Sequence, residues 1–179
     1  MRYAKIDECE VVNGIGCGTS VYVQGCHAPH CPGCFNLETW DFNGGKEWTQ
    51  EVENKFLKLV DKSYINRISI LGGEPLADEN MTEVYMLIRK LRKNYPNKQI
   101  WLYTGCTWEQ IWSDVKQTLR GDNLYDARQW ITMCCDVVVD GRFEEDKKDL
   151  ALAFRGSTNQ RVIDCQKSLE KGEVVLWTP

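Results

Sequence analysis

Four short apolar runs decide which architectures are open to this chain. "TSVYVQ" at 19–24 is β-branched and aromatic. "RISIL" at 67–71, "QIWLY" at 99–103 and "CDVVVD" at 135–140 are bounded by glycine or charge, as buried parallel strands are. "EVVLW" at 173–177 reads as a late strand. Between the runs, apolar residues recur at helical spacing. Val52, Phe56, Leu57 and Val60 do so within 47–61, Val84, Leu87, Ile88 and Leu91 within 80–94, and Trp108, Ile111, Trp112 and Val115 within 107–119. Thr107 followed three residues later by Gln110 predicts a capping box for the last helix. These stripes are core-facing surfaces with no ligand role. The alternation predicts an α/β fold with a parallel sheet and right-handed crossovers. At 179 residues it predicts a single domain spanning 1–179.

Ligands of such folds collect at the C-terminal ends of the strands. Four loops follow the four runs: the cysteine-bearing "GCHAPHCPGCFN" at 25–36, "GGEP" at 72–75, "TGC" at 104–106 and "DGRF" at 140–143. They are expected to share one rim.

Nine cysteines are many for this length, and the count is odd. The start, "MRYAKIDECEVVNG", has acidic residues where a signal peptide needs an apolar stretch, so a cytoplasmic location is expected. In a reducing cytosol a tight cysteine group binds metal or does redox chemistry. Cys26, Cys31 and Cys34 share one loop that Gly25, Pro29, Pro32 and Gly33 allow to turn. Cys31 and Cys34 form a C-x-x-C pair, and His27 and His30 are the only histidines of the chain. Zinc would take the three thiolates and one histidine. An iron–sulfur cubane would take the three thiolates and leave one iron open, a departure from the usual four-cysteine ligation. The loop by itself leaves both open.

"GGEP" tips the balance towards the cluster. Its glycines let a ligand lie against bare backbone, Glu74 can accept from an ammonium, and Pro75 stops the strand ladder. A formal net charge of −4 speaks against a nucleic-acid partner, and no apolar run is long enough to span a membrane.

Together the cysteine loop ending in "CFN" and the "GGEP" turn resemble the radical S-adenosylmethionine (SAM) superfamily. "VNGIGCGTSVYVQGC" (12–26), "CFNLETWDFNGG" (34–45), "DVVVDGRF" (136–143) and "FRGSTNQRVID" (154–164) are similar to one of its families, the activating proteins of anaerobic ribonucleotide reductases. The resemblance implies a mostly parallel sheet forming a partial (β/α) barrel. It implies that Cys26, Cys31 and Cys34 hold a [4Fe–4S] cluster whose open iron chelates SAM. Gly72, Gly73 and Glu74 would hold the methionine end, with Gly33 and Phe35 near the cofactor. Reductive cleavage of SAM would yield a 5′-deoxyadenosyl radical that takes hydrogen from a glycine of the reductase's large catalytic subunit. The cluster and SAM would carry the chemistry, with no further catalytic side chain. A flavodoxin-like or ferredoxin-like protein would donate the electron. In one respect the chain departs from the superfamily: four residues, "HAPH", separate Cys26 from Cys31 where three are usual.

Three other readings stand beside this one: an activase of a formate-lyase-type glycyl-radical enzyme, a zinc-stabilised binding module, and a simple iron–sulfur electron carrier. Cys9, Cys17, Cys106, Cys134, Cys135 and Cys165 show no ligand spacing and read as buried small hydrophobes. His27 and His30 read as exposed loop residues or as neighbours tuning a cluster. Tyr103 and Thr104 end a strand on the functional rim, Tyr103 being equally suited to the core. "EEDKKD" (144–149) is a solvated turn, and "FRGSTNQR" a polar surface loop.

Overall fold

The computed structural model describes residues 1–113 and 123–179. Seven strands form one sheet in the order β3-β1-β2-β4-β5-β6-β7. These are β1 (Arg2–Glu10), β2 (Gly18–Val23), β3 (Lys46–Glu47), β4 (Arg67–Gly72), β5 (Gln99–Tyr103), β6 (Val137–Asp140) and β7 (Arg161–Asp164). The helices are α1 (Gln50–Val60), α2 (Asp78–Asn94), α3 (Trp108–Ser113), α4 (Asn123–Met133) and α5 (Cys165–Lys171). The four expected runs are the centre of the sheet, and β2, β4, β5 and β6 pair in parallel. The sheet as a whole is mixed, because β1 and β3 on one side and β7 on the other pair antiparallel.

The extra strands escape an apolar-run criterion for a physical reason. β1, "RYAKIDECE", alternates charge with apolar residues, and β3 has only two residues. β7 starts at the last residue of the polar stretch read as a loop, and only its Val162 and Ile163 are buried. "EVVLW" is less than a strand. Asp164 N donates to Val175 O and Trp177 N to Val162 O, and one isolated bridge joins Ile163 to Leu176.

The sheet has two differently used faces, following the period of two. Val21, Val23, Ile68, Ile70, Ile100, Leu102, Val138 and Ile163 point to the helices. There they pack against Phe56 and Val60 of α1, Val84, Leu87, Ile88 and Leu91 of α2, Ile111 of α3 and Ile131 of α4. Each such fully buried aliphatic side chain contributes about 1.5–3 kcal/mol of transfer free energy. Three of these helices were expected. Thr49 caps α1 by accepting from Val52 N at 3.3 Å. Thr107 and Gln110 form the reciprocal capping box, Thr107 N donating to Gln110 Oε1 at 2.8 Å and Gln110 N to Thr107 Oγ1 at 3.2 Å. Val115 of that helical stripe lies outside the described residues.

On the opposite face, Tyr22, Leu71, Tyr103 and Val139 stand on one rung of the parallel strands and border open space. Below that rung, the face is covered by the segment between β1 and β2. Arg67, fully buried, ion-pairs with Glu10 at 2.9 Å and donates to the carbonyls of Asn13, Ile15 and Glu10 and to Ser69 Oγ. A Cβ on Gly14 would strike the Trp101 ring at 2.8 Å, which explains the glycine there.

Four of the six remaining cysteines correct the buried-hydrophobe expectation, Cys106 and Cys134 being only half-buried. Cys9 and Cys17 are joined by a disulfide at the base of this covering segment. Cys135 and Cys165 are fully buried, as expected. Among the described residues, no helix is long and apolar enough to cross a membrane.

Candidate functional site

The expectation of a shared rim is met. All four loops after the parallel strands line one cavity of about 960 Å³. Cys26, Cys31, Cys34 and Phe35 come from the loop after β2, and Gly72, Gly73 and Glu74 from the turn after β4. Thr104, Gly105 and Cys106 follow β5, and Gly141, Arg142 and Phe143 follow β6. Gly33 is not part of the lining. It turns the chain with φ 69° between Cys31 and Cys34, and Cys34 N donates to Cys31 O at 3.2 Å.

The β2 and β4 loops leave the sheet zipped together. Gly73 N donates to Val23 O at 2.9 Å and Glu74 N to Gly25 O at 2.7 Å, extending the contact past the last ladder pair. This approach needs a glycine at 73, since a Cβ there would lie 2.8 Å from the Gly25 carbonyl carbon. Asn80, near the start of α2, donates to Gln24 O at 2.9 Å and to Glu74 O at 3.0 Å, fastening both loops to one helix.

Glu74 is a scaffold carboxylate as well as a lining one. Its Oε1 accepts from Leu76 N at 2.9 Å and Thr104 Oγ1 at 2.7 Å, and its Oε2 from Gly105 N at 2.8 Å. Those bonds tie the β4 turn to the β5 turn. Burial nonetheless pushes the carboxyl above its usual range.

The "HAPH" spacer is anchored at three of its four residues. His27 Nε2 meets Glu79 Oε2 at 2.9 Å, and its ring lies 4.7 Å from Phe42. The Pro29 carbonyl accepts from Arg142 Nη2. His30 Nε2 bonds the Cys26 carbonyl at 2.9 Å, closing the spacer on itself, and its ring stacks on Trp40 at 4.0 Å and 4°. Trp40 O also accepts from Cys26 N at 3.0 Å, so both polar groups of the Cys26 backbone are engaged by one stacked pair. The extra residue is therefore accommodated in a braced turn. His27 is exposed, as read from sequence, whereas His30 is half-buried and structural.

The three thiols are free and half-buried. Burial, then the charge of Glu74 and the other two cysteines, pushes the Cys26 thiol up to about 11, with Arg142 acting the opposite way. Cys106 is likewise raised, by burial and Glu74. A metal centre reverses this balance, because its positive charge favours thiolate, the ligating form. Among the described residues, no three His, Cys, Asp or Glu side chains converge as a single-ion site requires.

Two lining residues were partly legible. Thr104 is buried and spends its hydroxyl on Glu74. Tyr103 lines the cavity with a buried hydroxyl that has no partner among the described residues. Arg142 and Trp40 were not singled out from sequence, although "DGRF" marked the neighbourhood of Arg142, and Cys106, read as a buried hydrophobe, lines the cavity.

A family model described as a 4Fe-4S single cluster domain matches residues 12–163. The anaerobic ribonucleoside-triphosphate reductase-activating protein of Salmonella typhi is 36% identical over 164 residues, covering 90% of this chain and 97% of the relative. The protein of that name from Escherichia coli (strain K12) is 34% identical with the same coverage. The one from Enterobacteria phage T4 is 33% identical over 162 residues, 90% of this chain and 93% of its own. With its cysteine loop and strand-end turns gathered on one cavity, the chain belongs to the 4Fe-4S single cluster domain family, among the anaerobic ribonucleoside-triphosphate reductase-activating proteins.

Proposed function

We propose that this protein is a radical SAM activase that generates a glycyl radical on the large subunit of an anaerobic ribonucleotide reductase. One observation carries the reading: Cys26, Cys31 and Cys34 line the same cavity as Gly72, Gly73 and Glu74. In this reading the chain is one domain, 1–179, and its parallel centre with helices on one face is the open half of a radical SAM partial barrel. The site works in the cytoplasm, with a flavodoxin-like or ferredoxin-like electron donor.

The residues fit an iron–sulfur centre by donor chemistry. Three half-buried thiols on one braced loop face a cavity where burial and negative neighbours leave Cys26 in want of a cation. When bound, the cluster supplies one electron for cleaving the sulfonium of SAM. The chain's own residues do the rest. Cys26, Cys31 and Cys34 hold the cluster, and Trp40 with His30 fixes the Cys26 backbone. Gly72 and Gly73 line the cavity, where their bare backbone would receive the methionine end of SAM, and Glu74 keeps that turn in register with Thr104 and Gly105. Phe35 packs on Phe143 at 5.0 Å at the exposed edge of the cavity.

The test is anaerobic reconstitution followed by reduction with SAM. Iron and sulfide near four each per chain are expected, with SAM cleaved to methionine and 5′-deoxyadenosine. Cys31→Ala should abolish both. Reduced, iron-loaded protein that leaves SAM intact would refute the reading.

A further inference from the structure

The turn after β6 is held in place by a stretch with no part in the proposed reaction. Asn159 Nδ2 donates to the Arg142 carbonyl at 2.8 Å, and Gln160 Nε2 to the Gly141 carbonyl at 2.9 Å. Gln160 is itself fixed, its Oε1 accepting from Gly156 N at 3.0 Å and Ser157 N at 3.2 Å. Ser157 Oγ accepts from Glu144 N at 3.2 Å on the far side of the turn. The polar "GSTNQ" stretch is thus a cradle for the main chain that carries Arg142.

From this cradle the guanidinium reaches across the rim to the Pro29 carbonyl, in the middle of the "HAPH" spacer. Arg161, on the same side of the turn, is neutralised by Glu109 at 2.7 Å and Asp140 at 2.5 Å. Arg142 makes no ion pair with any carboxylate among the described residues. Arg142 lines the same cavity as Cys26, Cys31 and Cys34, so its charge stands on the rim that carries the thiols.

We propose that Arg142 is a positioning residue of the iron–sulfur site, pinning the inter-cysteine spacer through Pro29 and holding an unpaired cation against the thiolates, so that the bound cluster is easier to reduce. This rests on the reading of Cys26, Cys31 and Cys34 as the cluster ligands. Cluster potentials follow net charge, hydrogen bonding and exposure. A fixed cation stabilises the form with one more electron. Cradle, arginine and spacer form one continuous chain of contacts from β7 to the cysteine loop.

The experiment is an anaerobic redox titration of the reconstituted full-length protein without SAM, followed by electron paramagnetic resonance of the reduced cluster. His30 and His27 still brace the spacer in Arg142→Gln, so iron and sulfide per chain should match the wild type. At a fixed potential the reduced-to-oxidised ratio should fall about tenfold, equivalent to ~59 mV for one electron. Arg142→Lys keeps the charge and should stay within about threefold of wild type. Arg142→Met serves as a second uncharged variant if Arg142→Gln does not accumulate. An unchanged potential in an iron-loaded uncharged variant overturns the proposal. So does an equal fall in Arg142→Lys, which would show that charge is not the agent. Wild-type protein that takes up no iron and sulfide overturns the ligand reading as well, and so separates the two failures.

Discussion

Glu10→Gln tests the floor of the cavity with a change of one atom. Both carboxylate oxygens of Glu10 are surrounded by donors. Oε1 accepts from Ser20 Oγ at 2.5 Å and pairs with Arg67 at 2.9 Å, while Oε2 accepts from Val12 N at 2.7 Å and Asn13 N at 2.9 Å. An amide must turn its NH2 towards one of those pairs, so two donors are left facing a third. Arg67 is fully buried, and Glu10 is 10% exposed at its side chain, so the lost charge leaves a guanidinium without a counter-ion. Removing one partner of a buried pair costs about 3–5 kcal/mol. The carbonyls of Asn13, Ile15 and Glu10 still receive Arg67, which favours the lower end, about 3 kcal/mol. For a chain of this size that corresponds to a melting point lower by roughly 6–12 °C. Urea unfolding and thermal melts of both proteins give the number. A loss below about 1 kcal/mol in Glu10→Gln would refute the claim that this pair fastens the 11–17 segment over the sheet.

Other outcomes follow from single side chains. Thr104→Val removes one of three donors from the buried Glu74 carboxylate and should cost about 2 kcal/mol in urea unfolding; an unchanged midpoint would show that the bond between the β4 and β5 turns carries no stability. Tyr103→Phe removes a buried hydroxyl with no partner among the described residues, so stability should hold or rise by up to about 1 kcal/mol, and a clear loss would reveal a partner. Hydrogen bonding to Arg161 depresses the Glu109 carboxyl from 4.5 to about 2. A depressed carboxylate stabilises the fold above its unfolded pKa, and that contribution disappears as pH falls from 4.5 towards about 2. Acid unfolding of Glu109→Gln should lack the wild type's additional loss in that window, and superimposable acid profiles would contradict the assignment.

The centre of the fold was legible because each central strand is an unbroken apolar run and each expected helix an apolar stripe. The edges were not, since β1 and β7 bury only part of their length and carry charge on the exposed side. Antiparallel pairing at those edges follows from connections that local periodicity does not encode. Within the site, sequence brought together the cysteine loop and "GGEP", because both follow apolar runs that must be parallel neighbours. It said nothing of Trp40, six positions after the last loop cysteine, whose ring and carbonyl reach back to His30 and Cys26. Nor did it expose Arg142 as the tie to Pro29, a contact between residues 113 apart. Glu74 was read as a ligand group for SAM; its three protein donors add a structural task that no local pattern announces. The Cys9–Cys17 bridge was hidden because an odd number of cysteines, three of them in one tight loop, points to ligation rather than pairing.

This cavity makes a radical destined for another protein. The direct measurement is electron paramagnetic resonance of the reconstituted, reduced protein mixed anaerobically with SAM and the large subunit of its anaerobic ribonucleotide reductase. A glycyl radical on the large subunit is the predicted result, absent without SAM and absent with Cys31→Ala. SAM cleavage without any glycyl radical, or an equal radical yield from Cys31→Ala, would show that the cavity does not serve this role.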